Sequence, residues 1–184
     1  MVWQGSFGRC ELSFEPFLFY HKTPDFIGVF MNKASEKRLS EVHPTLARKI
    51  RALERTLLTK GIQIEVVQGL RTFKEQDELY AQGRTKPGLI VTRARAGQSE
   101  HNYGTACDVC PFLNGKPQWN DRKAFLTIGA EAQKLGLEWG GAWKKFVDLP
   151  HVQLNSPPII RMYALYQQGG LPAVWSEVDK IGVK

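Results

Sequence analysis

At 184 residues, 42% of them hydrophobic and 23% charged, the chain is long enough for one packed domain and too apolar to remain disordered. A formal net charge of +7 suits a polyanionic partner (nucleic acid, anionic lipid or a wall polymer) without choosing among them. Three cysteines are too few for a secreted disulfide framework, and no apolar run reaches the ~18 residues of a membrane span.

Residues 1–35 show no clear hydrophobic period. The segment is rich in aromatic residues, but Arg9, Glu11 and Glu15 interrupt it and no small-residue cleavage site follows an unbroken apolar stretch. It therefore does not read as a signal peptide, and synthesis in the cytoplasm is expected. From His43 the pattern sharpens. Pro44 suits a first helical turn, Leu46, Ile50, Leu53 and Leu57 share one face, and Lys60 with Gly61 makes a stop, so a helix is predicted over 43–60. Ile62, Ile64 and Val66 alternate as in a half-buried strand that ends at Gly69. Thr72 and Glu75 form a capping box that opens a short helix to Gln82. Arg71 thus falls on a strand-to-helix joint, where side chains often reach a site.

Residues 83–98 are basic and glycine-rich and carry Arg84, Lys86, Arg93 and Arg95. A solvated connection is the plainer reading of this loop, a flap the functional one. A strand is predicted over 104–110 and a helix over 121–135, with Phe125, Ile128, Ala132 and Leu135 as its inner face and Gly136 as its stop. Strands over 137–139 and 151–154 follow, then two helices over 158–168 and 172–181. Helices mixed with short strands, without a regular βαβ alternation, place the chain in the α+β class. Cys107 and Cys110 lie within the strand, where three residues span about 10 Å; a disulfide needs Cα atoms closer than about 7 Å, so both thiols are expected to be reduced. No second ligand pair makes a zinc finger of them.

Two segments carry chemistry: Ser99-Glu-His101-Asn-Tyr-Gly104-Thr-Ala106-Cys-Asp108 and Asp148-Leu-Pro150-His151. They offer two imidazoles and a carboxylate as ligands, plus a second carboxylate. Catalytic zinc takes three protein ligands and leaves a fourth position for water or substrate. Two His and one Asp leave a charge of about +1 at such a site, so that water there stays acidic enough to ionise near neutral pH. Strand periodicity puts Ala106, Asp108 and Cys110 on one face, and His151 with Gln153 on one face. His101, before Gly104, is expected on a turn folding back toward Asp108. Cys110 is expected to pack as a small apolar group rather than to compete for metal. His21 and His43 read as structural, His43 at a helix start.

These residues resemble the D-alanyl-D-alanine peptidase and hedgehog-like group of zinc peptidases, and more narrowly the L-alanyl-D-glutamate endopeptidases of bacteriophage endolysins and bacterial walls. The group's S-x-H-x-x-G-x-A-x-D is complete from Ser99 to Asp108. Its second motif sets an acidic base three residues before the last His. Asp148 stands there, as in the L-alanyl-D-glutamate branch, where other branches carry Glu. Glu138-Trp-Gly-Gly-Ala-Trp143, with Phe146 and Gln153, is also similar to that branch. The likeness covers residues 40–155.

The resemblance implies a small central antiparallel sheet flanked by helices, with 36–184 as a single catalytic domain and 1–35 as an extension outside the likeness; the sequence shows no second, repeat-like or aromatic-rich domain, so no separate wall-binding domain is expected. It implies one zinc ion held by His101, Asp108 and His151. Asp148 would take a proton from the attacking water and hand it to the leaving amine. Arg71, thirty positions before His101, would bind a substrate carboxylate or the developing oxyanion. Gln76 and Ser99 would contact substrate, while Trp139 and Trp143 are core residues with a cleft wall as a second role. The expected partner is peptidoglycan, cut between L-alanine and D-glutamate, by a monomer that binds no nucleic acid, does not enter the membrane and reaches the wall after release by a holin-like protein. A D-alanyl-D-alanine carboxypeptidase is the alternative within the class, and a zinc-binding wall-recognition module without catalysis the alternative outside it.

Overall fold

The computed structural model describes residues 31–182; the aromatic-rich segment before them, with His21, lies outside the described residues. Among the described residues, five helices and five strands follow in chain order: α1 (Lys33–Ser40), α2 (Pro44–Leu58), β1 (Gln63–Gln68), α3 (Phe73–Ala81), β2 (Ala106–Leu113), β3 (Lys116–Pro117), α4 (Arg122–Lys134), β4 (Glu138–Trp139), β5 (His151–Gln153) and α5 (Ile159–Gly182).

The sheet is antiparallel, in the order β1-β2-β5-β4, with β3 on the far end of β2. Pleating sends alternate residues to opposite faces. Cys107 and Val109 of β2, Val152 of β5 and Trp139 of β4 enter the core. There they meet Leu46, Ile50, Leu53 and Leu57 of α2 and Phe125, Ile128 and Ala132 of α4, all buried. Their neighbours Asp108, His151, Gln153 and Glu138 therefore share the opposite face. Trp139 is wedged against α4 where Gly129 leaves room, since a Cβ there would run into the indole.

The amphipathic stretch over 43–60 is α2, with His43 as its N-cap: His43 Nδ1 accepts from the Thr45 amide at 3.1 Å. The capping box opens α3, with both reciprocal hydrogen bonds made. The two C-terminal helices run as α5, broken at Gly169 and Gly170, where Gly170 takes φ +64 and Pro172 follows. Three features depart from expectation. α1 occupies a segment without an evident period, and Met31, placed in the expected extension, is buried in the core. The strand predicted to end at 110 continues to Leu113, and β3 returns from it through Asn114 and Gly115, both at positive φ (51 and 74), the backbone of a type I′ hairpin turn.

Candidate functional site

Strand register brings the first two candidate ligands together. Asp108 on β2 lies directly opposite His151 on β5, so their side chains rise from the same face. The third arrives from a 3-10 turn, Glu100–Tyr103, which ends at Gly104 in the left-handed region (φ 65). That conformation favours glycine, and a Cβ there would press on Val42 and Trp175 at 3.3 Å. Reversal at Gly104 lays His101 over the start of β2.

His101 Nε2, His151 Nδ1 and Asp108 Oδ1 form a nearly equilateral triangle, with edges of 3.2, 3.2 and 3.3 Å. Each ring has a partner on its other side. His101 Nδ1 lies 2.9 Å from the Gly69 carbonyl, and His151 Nε2 lies 2.8 Å from Gln153 Oε1. Both partners are acceptors, so each neutral ring keeps its proton outside and turns a lone pair inward. Asp108 Oδ1 is buried without a hydrogen-bond partner. Three inward lone pairs at this separation repel unless a cation lies between them, and a buried unsatisfied oxygen calls for such a cause. Zinc bonds of 2.0–2.1 Å in a tetrahedron require ligand edges of about 3.3 Å. The donor set and its spacing fit a zinc-type ion, with a fourth position open to the cleft. Electrostatics agree. Burial opposes charge on Asp108, yet the imidazoles hold it well below the usual carboxylate range, so its carboxylate stays anionic and available to a cation.

The other candidates divide between the cleft and the layer beneath it. Asp148 lines the cleft beside the triangle. Its amide donates to the Gly140 carbonyl at 3.1 Å, an approach that a Cβ on Gly140 would block at 2.6 Å from the Asp148 carbonyl. Burial, and then the charge of Asp108, raise its carboxyl pKa, making it a better proton acceptor than a solvated aspartate. Arg71 reaches within 3.8 Å of Asp108 Oδ2, and Ser99 lines the wall. Gln76, expected to touch substrate, is fully buried. Its carbonyl accepts from Arg71 at 2.9 Å and its amide donates to the Ala94 carbonyl at 2.7 Å, which joins Arg71 to the 83–98 loop. Cys110 stays outside the triangle, and burial pushes its thiol up to about 11.

The cavity measures ≈ 480 Å³, within the range of ligand sites. Loop residues Val91 and Arg93 line it together with Phe146 and Trp143, and the Arg93 guanidinium lies 5.7 Å over the Phe146 ring. The loop is therefore a cleft wall rather than a plain connection. Sequence reasoning passed over Glu100, which lines the cleft and accepts from Ser156 at 2.9 Å, and the Gly69 carbonyl behind His101, a backbone group that no side-chain pattern signals.

Residues 92–154 match a family model described as D-alanyl-D-alanine carboxypeptidase; the match holds Ser99, His101, Asp108, Asp148 and His151 but not Arg71 or Gln76. The chain is similar to the peptidoglycan L-alanyl-D-glutamate endopeptidase CwlK of Bacillus subtilis (strain 168), 44% identical over an alignment of 124 residues that covers 62% of this chain and 74% of that protein. It is similar to the L-alanyl-D-glutamate peptidase of Escherichia phage T5, 32% identical over 108 residues, 59% of this chain and 72% of that protein. Among solved structures, the L-Ala D-Glu endopeptidase ChiX of Serratia marcescens superposes with a TM-score of 0.55 at 29% identity, covering 72% of this chain and 94% of that one.

Proposed function

Because the chain belongs to the family of zinc peptidases that includes D-alanyl-D-alanine carboxypeptidases and L-alanyl-D-glutamate endopeptidases, we propose that it hydrolyses the L-alanyl-D-glutamate bond of peptidoglycan stem peptides. It is a zinc metallopeptidase acting on the wall. The observation that carries this reading is the donor triangle of His101, Asp108 and His151, one corner of it an unpaired Asp108 oxygen, with Asp148 beside it in an open cleft.

His101, Asp108 and His151 would hold the zinc ion, which when bound would supply a Lewis acid for the scissile carbonyl and for the attacking water. Asp148 accepts the proton of that water at its carboxylate and returns it to the departing amine. Its half-buried setting suits both steps, because a raised pKa lets it hold the proton between them. Arg71 contributes a fixed positive charge at the cleft floor for the oxyanion or a substrate carboxylate. Gln76 acts beneath it as a positioning residue, and Ser99 offers its hydroxyl to substrate. The donor triangle is complete without a second copy of the chain, so the proposed chemistry is assigned to a monomer. Similarity to a phage peptidase supports release to the wall by a holin-like protein.

The test is digestion of purified peptidoglycan with mass spectrometry of the products, using wild type, Asp148→Ala and His151→Ala, each with its zinc content measured. Wild type should release fragments with a new L-alanine carboxyl and a D-glutamate amine. Asp148→Ala should keep zinc and lose activity by at least about 10²-fold, and His151→Ala should lose both. Free D-alanine as the sole product would reassign the bond to the carboxypeptidase type.

A further inference from the structure

The segment Glu138-Trp-Gly-Gly-Ala-Trp143 holds Asp148 through Gly140 and lines the cleft through Trp143, and its two ends also meet behind a metal ligand. Trp143 Nε1 donates to Glu138 Oε1 at 2.6 Å. The other carboxylate oxygen, Oε2, accepts from Gln153 Nε2 at 3.2 Å. Gln153 Oε1 then faces His151 Nε2 at 2.8 Å. Sheet register builds this row: Glu138 lies opposite Gln153, and Gln153 lies opposite Ala106. The alanine leaves Gln153 space to bend along its own strand toward His151. The Trp143 ring closes the row from the side, tilted 45° to the His151 ring with centroids 5.1 Å apart.

Each bond fixes the direction of the next. A carboxylate only accepts, so Glu138 compels Gln153 to present its NH2 end, which leaves the Gln153 carbonyl for His151. A carbonyl only accepts, so His151 keeps its proton on Nε2 and its lone pair on Nδ1, the atom of the donor triangle. The Glu138 charge polarises the amide and strengthens imidazole as a donor. The partner of a metal-bound His sets its tautomer and its affinity for metal in this way.

We infer that Glu138, Gln153 and Trp143 are positioning residues that act through His151, setting its tautomer and raising the affinity of the site for zinc. The inference rests on the zinc-peptidase reading. Two readouts test it on the full-length chain: zinc affinity by chelator competition, and the His151 tautomer from 15N–1H correlations in the metal-free protein, recorded at a pH high enough for the ring to be neutral. Gln153→Leu and Glu138→Ala should weaken zinc binding, Gln153→Leu by about 10–100-fold, and His151 should lose its single Nε2–H tautomer. The double exchange Glu138→Gln with Gln153→Glu rebuilds the row with the carboxylate one position nearer to His151. In it the side-chain amide at position 138 accepts from Trp143 and donates to the carboxylate at position 153, so the exchange should recover the affinity and the tautomer. Wild-type affinity and tautomer in Gln153→Leu would overturn the inference. So would a loss that the exchange fails to repair, because packing rather than the row would then be the cause. A wild type that binds no zinc would sink the metal reading, while the tautomer comparison would still decide the row.

Discussion

The His43 ring is given over to structure, and its surroundings make it sensitive to acid. Nδ1 caps α2 by accepting from the Thr45 amide, so the proton sits on Nε2, 3.4 Å from the Trp175 carbonyl and 3.4 Å from Asp179. Burial lowers its pKa below the ordinary 6.5, and Asp179 offsets that only in part. A protonated ring would also turn the capping acceptor into a donor. The folded state thus binds this proton less readily than the unfolded chain. Its stabilising contribution is complete above about pH 6.5 and is lost as pH falls from there through the lowered value. Unfolding free energies between about pH 7.5 and 5 should fall more steeply in wild type than in His43→Asn, which retains a capping acceptor but does not titrate. Equal slopes would show that His43 is not the group responsible. Assigning His43 to a helix start needed only Pro44 and the apolar spacing behind it. The pH sensitivity did not follow from sequence, because Trp175 and Asp179 come from the opposite end of the chain.

At the level of elements, α1 carries more of the site than its length suggests. The Ser35 hydroxyl donates to the Glu65 carboxylate at 2.6 Å and accepts from the Val66 amide at 2.9 Å, while Arg38 reaches the Val66 carbonyl at 3.1 Å. The helix backs directly onto Gly69, where a Cβ would meet the Arg38 carbonyl at 3.2 Å, and the Gly69 carbonyl orients His101. Ser35→Ala should cost about 1–3 kcal/mol, since it leaves the Val66 strand amide unsatisfied and takes one hydrogen bond from the buried Glu65 carboxylate, which keeps the Asn32 amide; chemical denaturation measures it, and a change under about 0.5 kcal/mol would refute the role. This helix escaped the sequence reading because its anchors are polar and its apolar face is short. By contrast α2 and α4, with long apolar stripes, and β1, with clean alternation, were readable from period alone. Asp108 and His151 could each be placed on a strand face, but their pairing depended on β5 lying beside β2. The row from Glu138 to His151 was hidden for the same reason, since β4 and β5 meet only in the folded sheet. The hairpin at Asn114 and Gly115 had its signal in plain view, an Asn-Gly pair between apolar segments.

For the molecule as a whole, the cleft is a seam between the sheet and the 83–98 loop, and Gln76 stitches it from below. Its buried amide ties Arg71 on one side to Ala94 on the other. Gln76→Leu removes both bonds without touching the donor triangle. Zinc content should be unchanged while kcat/KM on wall fragments falls about 10-fold or more, the scale of misplacement effects. Loss of zinc together with activity would instead place Gln76 in support of the metal. The opposite end of the sheet offers freedom of another kind. The Asn114–Gly115 turn is exposed and stands six residues along β2 from Asp108, about 20 Å at strand rise. Loop tips of this sort accept inserted sequence. A wall-targeting module or reporter spliced into that tip would ride on the enzyme without crowding the cleft, which makes the hairpin a graft point for building lytic fusions.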